Sequence, residues 1–347
     1  MQTSALVYDL PPDLIAQSPV EPRDSSRLMV IDRTTGLISH RQFFDIAQLL
    51  RPGDLLIAND TSVLNARLIG HKPTGGKAEV LLLRKLNATD WECLVGGRRV
   101  EQVVFGRDVP LERLSETNRP PSLIAKVIER RDGPTCIVRF SEPVEPFLNA
   151  IGEMPLPPYI HEKLQDPSRY QTVYARMAGS AAAPTAGLHF TSRLLTELQS
   201  SGVSIAFVTL HVGLDTFKPI DEAEVEAHQI HTEWCEISPQ TAQVIRETRA
   251  RGGRVIAVGT TSLRVLETWG EKGHPEAGWS GFTHIYITPG FQFKVCDALI
   301  TNFHLPRSTL LALVGAFMGV EPMQNAYAEA IRERYRFYSF GDAMLIG

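Results

Sequence analysis

The sequence predicts an α/β fold: a discontinuous α/β domain with a mixed, largely parallel sheet, plus an inserted small β-barrel domain. Three observations predict it. Apolar strand patterns alternate with helical ones after residue 153, as in a sheet covered by helices. Residues 66–140 read as strands alone. The chain has 347 residues and 43% hydrophobic content, more than one hydrophobic core usually serves, so two domains are expected.

Taken in order, the first strands are expected at 28–32 and 55–59, the second introduced by the turn Pro52-Gly53. Six short strands follow at 66–71, 78–84, 91–96, 103–106, 123–131 and 135–140, separated by turn residues such as Pro73-Thr74-Gly75-Gly76 and Asp132-Gly133-Pro134. With no helices to cover them, closure into a barrel is the way to remove their edges. Beyond Pro155-Leu156-Pro157-Pro158 the pattern gives a helix at 192–199, a strand at 203–210, a helix at 239–251, a strand at 254–258 and a helix at 262–269. Strands at 284–288 and 298–303 and helices at 308–318 and 324–334 complete it. The expected organisation is an α/β catalytic domain over 1–64 and 153–347, with the barrel at 65–152.

Composition narrows the function. With 35 Lys+Arg against 39 Asp+Glu, the formal charge of −4 argues against a broad basic surface for duplex DNA, so any nucleic-acid contact is local. The longest apolar stretch, 310–318, is far shorter than the roughly 20 residues that span a bilayer, and the N-terminus lacks a signal-peptide pattern. A soluble protein, cytoplasmic and without a membrane partner, is expected. The cysteines, Cys93, Cys136, Cys235 and Cys296, are widely spaced with no C-x-x-C pair, which suggests neither a disulfide framework nor a zinc knuckle.

Residues 178–191, Ala-Gly-Ser-Ala-Ala-Ala-Pro-Thr-Ala-Gly-Leu-His-Phe-Thr, are mostly too small to fill a core. They allow the main chain to approach a bound molecule, just before a helix start with its unpaired N–H groups. Strands running into polar residues at a helix start recur at Val258-Gly259-Thr260-Thr261-Ser262-Leu263-Arg264 and at Thr301-Asn302-Phe303-His304-Leu305-Pro306-Arg307-Ser308. His189 is a candidate acid or base, or a histidine that merely packs. His211, Asn302 and His304 stand at strand ends, where open α/β sheets bind ligands, though a structural role serves equally well. Main-chain N–H groups at Gly259-Thr260-Thr261 with Arg264 suit a carboxylate or phosphate, while plain N-capping also explains the hydroxyls. The turn is neither G-x-G-x-x-G nor a Walker loop, which disfavours a dinucleotide or nucleoside triphosphate.

His228 and His231 have H-x-x-H spacing near Glu233 and Cys235, but no clear open-site ligand set, so no metal is expected and His231 with Glu233 is read as a pair that orients substrate. His161-Glu162 starts like a zinc-protease helix, but Gln165 stands where the second histidine belongs. Local positive charge appears at Arg23 and Arg27, at Arg98 and Arg99, and at Lys126, Arg130 and Arg131. The C-terminal Arg334-Tyr335-Arg336-Phe337-Tyr338 mixes cations with rings that suit phosphate and a splayed base, or a last strand closing the core.

These residues resemble the S-adenosylmethionine:tRNA ribosyltransferase-isomerases of queuosine biosynthesis, over nearly the whole chain. The resemblance is carried by Tyr8-Asp9-Leu10-Pro11, Gly152-Glu153-Met154-Pro155, residues 182–190, Thr209-Leu210-His211-Val212-Gly213, Ala257-Val258-Gly259-Thr260-Thr261-Ser262, Thr301-Asn302-Phe303-His304-Leu305-Pro306 and residues 335–344. It implies transfer of the ribosyl part of S-adenosylmethionine to 7-aminomethyl-7-deazaguanine at the wobble position of tRNA, giving epoxyqueuosine, adenine and methionine. S-adenosylmethionine is then a consumed co-substrate, no cofactor is expected, and the partner is tRNA; a monomer is expected. On this reading His189, followed by His211 and His304, supplies acid and base. Thr260, Thr261 and Arg264 hold the methionine carboxylate, Thr185, Gly187 and Asn302 line the adenosine pocket, and Arg27, Arg98, Arg99, Arg334 and Arg336 contact RNA. The pattern departs from the family at Ser62, where an arginine is common, and at Asp215, where glycine is common. The rival readings are a non-catalytic RNA-binding protein and an S-adenosylmethionine-dependent RNA methyltransferase.

Overall fold

The computed structural model describes residues 1–97, 99–106, 123–131, 135–162, 164, 166–213 and 218–347. Arg98, Gln165, Asp215 and the turn expected at Asp132-Gly133-Pro134 lie outside the described residues. The chain divides into two compact units, one made of Met1–Ser62 with Pro157–Gly347 and the other of Val63–Leu156.

The strands, in chain order, are β1 (Arg27–Ile31), β2 (Ile38–Gln42), β3 (Leu55–Asn59), β4 (Thr61–Val63), β5 (Arg67–His71), β6 (Lys77–Lys85), β7 (Asp90–Gly96), β8 (Gln102–Val104) and β9 (Ile124–Arg130). They continue as β10 (Thr135–Phe140), β11 (Gly152–Glu153), β12 (Met177–Ser180), β13 (Ser204–Leu210), β14 (Glu233–Ile237), β15 (Val255–Val258), β16 (Trp279–Thr283), β17 (Ala298–Asn302) and β18 (Ala343–Ile346). The α-helices are α1 (Ile46–Leu49), α2 (Leu148–Ile151), α3 (Ser192–Ser200), α4 (Pro239–Ala250), α5 (Thr260–Glu271), α6 (Thr309–Met318) and α7 (Val320–Arg332).

The first unit holds a mixed sheet of order β16-β14-β13-β3-β15-β17-β18-β1-β2. Its centre is parallel from β13 through β3 and β15 to β17, and antiparallel pairs appear toward both edges. The strands β3, β15, β17 and β18 are buried at every residue, because both faces are covered. Strand alternation splits their side chains between two cores. Leu55, Ile57, Val255, Ala257, Leu299 and Met344 join the larger core, which also takes Leu263, Trp269, Leu311 and Tyr327 from α5, α6 and α7. Leu56, Ala58, Ile256, Val258, Ile300 and Leu345 face the other core, filled by Ile46, Leu194 and Leu198.

The second unit is the closed antiparallel barrel. Its order is β11-β5-β6-β7-β10-β9-β8, and His71 against Val104 joins β5 to β8. Leu68, Val80, Leu82, Cys93, Ala125, Val138 and Phe140 fill its interior. Both the mixed sheet and the barrel expected from the sequence are thus present.

One expected strand is corrected. The ladder runs through Trp279–Thr283, paired to β14, and not through 284–288. The Thr283 hydroxyl accepts the Ile285 N–H at 3.2 Å, which diverts that donor from a ladder. Ile285 and Ile287 are buried in the core without strand pairing, so apolar alternation there reports burial alone. The helix expected at 262–269 begins earlier, at Thr260, straight after Gly259.

Candidate active site

The parallel strands β13, β15 and β17 end on one side of the sheet, where such sheets offer a ligand crevice. The residues that follow them turn polar, and among the described residues a cleft opens there whose empty space, open solvent included, is about 640 Å³. Thr260 and Thr261 after β15, Asn302 and His304 at and after β17, and Thr185 from the small-residue run all line it, with Tyr159, Tyr338 and Ser339. Ala183, Pro184 and Ala186 form another part of the wall, so the absence of bulk read in residues 178–191 does bring main chain to the cleft. Gly259 takes φ +88°, a left-handed conformation that glycine tolerates, and this turn starts α5.

Asn302 is held on both ends of its amide. Its Oδ1 accepts from the Thr185 hydroxyl at 3.0 Å, and its Nδ2 donates to the Tyr338 carbonyl at 3.2 Å and to His189 Nε2 at 3.0 Å. With Nε2 accepting, the His189 proton sits on Nδ1 and is donated to Ser26 Oγ at 2.7 Å. The imidazole also stacks on Phe43. Burial, with the nearby charges of Arg336 and Arg23, pushes the His189 pKa down to about 3. His189 is therefore a neutral brace for Asn302: both ring nitrogens are engaged, and it lines a smaller hollow with Arg23, Ser26 and Arg169 instead of the cleft.

His304 lines the cleft itself. Its Nε2 meets the Thr301 hydroxyl at 2.7 Å, its N–H donates to Tyr327, and its carbonyl accepts from Tyr8. Burial lowers its pKa to about 3. His211 stands apart from these residues, stacked on Trp234 with Nδ1 at 2.9 Å from Thr61 Oγ1, and burial lowers its pKa despite Asp60 nearby. Gly187 is packed under Tyr174, whose hydroxyl would lie 2.1 Å from an added Cβ, and it does not line the cleft.

Arg264 and His231 line a second, smaller hollow of about 290 Å³, and Leu310 lines both this hollow and the cleft. Glu233, buried beside them, accepts from Arg264 Nη1 and from the Gly213 N–H, and lies 3.3 Å from His231. Burial alone would raise its carboxyl, but the Arg264 guanidinium, with His231, holds it down to about 2. His228 pairs with a different carboxylate, Glu222, at 2.9 Å.

The arginines expected to touch RNA are dispersed. Arg27 lies over the Tyr335 ring at 3.7 Å, Arg334 pairs with Asp13, Arg336 donates to the Ser18 carbonyl, and Arg99 is exposed on the barrel. The tail's rings fill the core: Tyr335, Phe337, Tyr338 and Phe340 are all buried, and β18 after them takes an inner place in the sheet between β17 and β1, so of the two readings of this segment the structural one describes its aromatics. Asp342, which sequence reasoning passed over, organises the segment by accepting from the Arg27 and Arg336 N–H groups at 2.8 and 2.7 Å. Ser26 was also passed over; its only signal is a position many residues from the histidine it meets.

A mixed sheet with a polar cleft at the carboxyl ends of its parallel strands, carried together with a closed barrel, places the chain in the class of α/β proteins that take a small ligand at strand ends. The chain belongs to the queuosine biosynthesis protein family, whose pattern it matches over residues 3–346. It is 51% identical over 351 residues to a protein of Moorella thermoacetica and 50% identical over 353 residues to one of Symbiobacterium thermophilum, with all of each chain covered. Both relatives are named S-adenosylmethionine:tRNA ribosyltransferase-isomerase. A crystal structure of S-adenosylmethionine tRNA ribosyltransferase from Thermotoga maritima is similar with a TM-score of 0.58 at 39% identity, covering 99% of this chain and all of that one.

Proposed function

We propose that the chain is an S-adenosylmethionine:tRNA ribosyltransferase-isomerase that moves the ribosyl part of S-adenosylmethionine onto the aminomethyl nitrogen of 7-aminomethyl-7-deazaguanine at the tRNA wobble position. The products are epoxyqueuosine in tRNA, adenine and methionine. The observation that carries this reading is identity of about one half, end to end, with relatives of that name. The cleft supports it by offering neutral imidazole, hydroxyls and an amide in one place.

In this chemistry the sulfonium acidifies C5′ and makes methionine a good leaving group. A base takes one C5′ proton and the C4′–O4′ bond breaks; adenine leaves C1′ and receives a proton as that carbon becomes an aldehyde. The amine adds at C4′ and gives up a proton, and the C5′ carbanion so regenerated bonds to C1′, whose oxygen is left to close on C5′. Methionine departs as a neutral thioether when the epoxide closes. We assign the proton transfers at the cleft to His304, because it lines the hollow where His189 and His211 do not. Thr185, Thr260 and Asn302 hold the nucleoside, and His189 is a positioning residue that fixes Asn302. Arg27, Arg99, Arg334 and Arg336 are assigned to the tRNA backbone as scattered contacts, in keeping with the net charge of −4.

The test is one chromatogram of the protein incubated with S-adenosylmethionine and tRNA carrying the 7-deazaguanine precursor. Adenine with methionine is the expected result. S-adenosylhomocysteine would replace this reading with methylation, and neither product would leave RNA binding alone.

A further inference from the structure

Thr261 and Arg264 are three residues apart on α5, and therefore neighbours on one face of the helix. Both carry buried polar atoms that lack a partner among the described residues: Oγ1 of Thr261, and Nε with Nη2 of Arg264. Thr261 is only 8% exposed and lines the cleft, and Arg264 is 4% exposed and lines the adjoining hollow. Unpaired donors so deeply buried are costly, and a guanidinium especially so, unless something else satisfies them.

The identity of the unpaired atoms says what that something is. Glu233 takes Nη1 and leaves the edge of the guanidinium where the Nε and Nη2 hydrogens run side by side. That edge matches a carboxylate with two parallel hydrogen bonds. The walls around it mix apolar residues, Ile230, Ile285, Ile287 and Leu313, with the polar His231, Tyr286 and Thr309, which suits a short aliphatic chain that carries a carboxylate and an amine. Glu233 itself is occupied by Arg264, the Gly213 N–H and His231, so it does not compete for that edge.

We infer that the Nε–Nη2 edge of Arg264 is the subsite for the carboxylate of an amino-acid ligand, with Thr261 Oγ1 on the path to it. The nucleoside then sits by Asn302 in the cleft, and the amino-acid end passes Leu310, the residue that lines both hollows. This assignment rests on the reading that S-adenosylmethionine is bound, and it separates Thr260, which serves the cleft, from Arg264, which serves the chain's end.

Calorimetric titration with S-adenosylmethionine and with its decarboxylated analogue tests it, on the wild-type chain and on Arg264→Lys, which keeps a cation for Glu233 but loses the fork. The wild-type chain is expected to bind S-adenosylmethionine about 10- to 100-fold more tightly than the analogue, the range of a charge-assisted bidentate contact. In Arg264→Lys that preference is expected to shrink to about threefold or less through the lost second bond, with affinity for the analogue nearly unchanged. Equal wild-type binding of both compounds overturns the subsite and leaves the functional reading standing, as does an undiminished preference in the variant. Failure of the wild-type chain to bind S-adenosylmethionine at all overturns both. If Arg264→Lys does not fold, the wild-type comparison decides alone.

Discussion

Two walls at the cleft and its adjoining hollows differ in how their polar atoms are spent. Around Asn302 every group is matched: Thr185, His189, Ser26 and the Tyr338 carbonyl form one closed set of hydrogen bonds. Along α5 the set is open, with donors of Arg264 and the hydroxyl of Thr261 left over. A closed network of buried groups is stiff and fixes one geometry, whereas an open one stores unfavourable burial that a ligand relieves. The difference teaches that one wall meets the ligand with a fixed shape, and the other keeps donors for its charged end.

The largest effect is expected where the closed wall is opened. Replacing Asn302 by Leu strands the Thr185 hydroxyl and His189 Nε2, while the Tyr338 carbonyl keeps the Gly341 N–H, and each buried orphan costs about 1–3 kcal/mol. Denaturant unfolding should show a loss of roughly 2–6 kcal/mol, and a loss below about 1 kcal/mol would mean that this wall is no more rigid than the other.

Next comes the contrast between two histidines with similarly depressed pKa values. His304→Gln should slow single-turnover adenine release by about 10²- to 10⁴-fold, the range for a proton-transfer group. His189→Gln, which keeps an acceptor toward Asn302, should slow it by less than about tenfold, the smaller loss expected of a residue that only positions another. The reverse order would return His189 to the role that its place in the sequence suggested.

The same pair makes folding sensitive to acid. Burial lowers both pKa values to about 3 from the ordinary 6.5, so the unfolded chain takes up protons that the folded chain refuses as pH falls below 6.5. Stability from this source is complete above pH 6.5 and is lost on acidification toward 3, by up to about 1.4 kcal/mol per pH unit for each histidine. Unfolding measured between pH 6.5 and 4.5 should show that slope, and His189→Gln should flatten it by up to about 1.4 kcal/mol per pH unit, its own share beside those of His304 and of His211, whose pKa burial also lowers. An unchanged slope would mean that the His189 site admits a proton.

Much of this architecture could be read from residue order because its causes are local. Strands such as Val255–Val258 announce themselves by unbroken apolar character, and Gly259-Thr260-Thr261 by the conformational freedom of glycine before a helix. The cleft-lining places of Thr260, Thr261, Asn302 and His304 follow from strand ends in a parallel sheet, and that of Thr185 from the run of small residues. What could not be read was the second layer. His189 and Asn302 are 113 residues apart, and nothing local reveals that one histidine nitrogen is already taken by the other's amide while Ser26 takes the second. The strand misplaced at 284–288 failed for a related reason: Ile285 and Ile287 are apolar because they are buried, and only the Thr283 hydroxyl shows that their backbone is not laddered.

The smallest effect on stability is the most discriminating between the two walls. Thr261→Val keeps the shape of the side chain and removes a hydroxyl that has no partner among the described residues. Deleting a satisfied hydroxyl normally costs about 1 kcal/mol, but deleting an orphan removes a burial penalty instead, so stability should hold or rise by up to about 1 kcal/mol. Affinity for S-adenosylmethionine should fall about three- to tenfold in the same variant, since the ligand loses the bond that the hydroxyl was held back to make. Valine that costs stability and spares affinity would show that Thr261 belongs with Asn302 among the groups already satisfied, and the distinction between the two walls would end at Arg264.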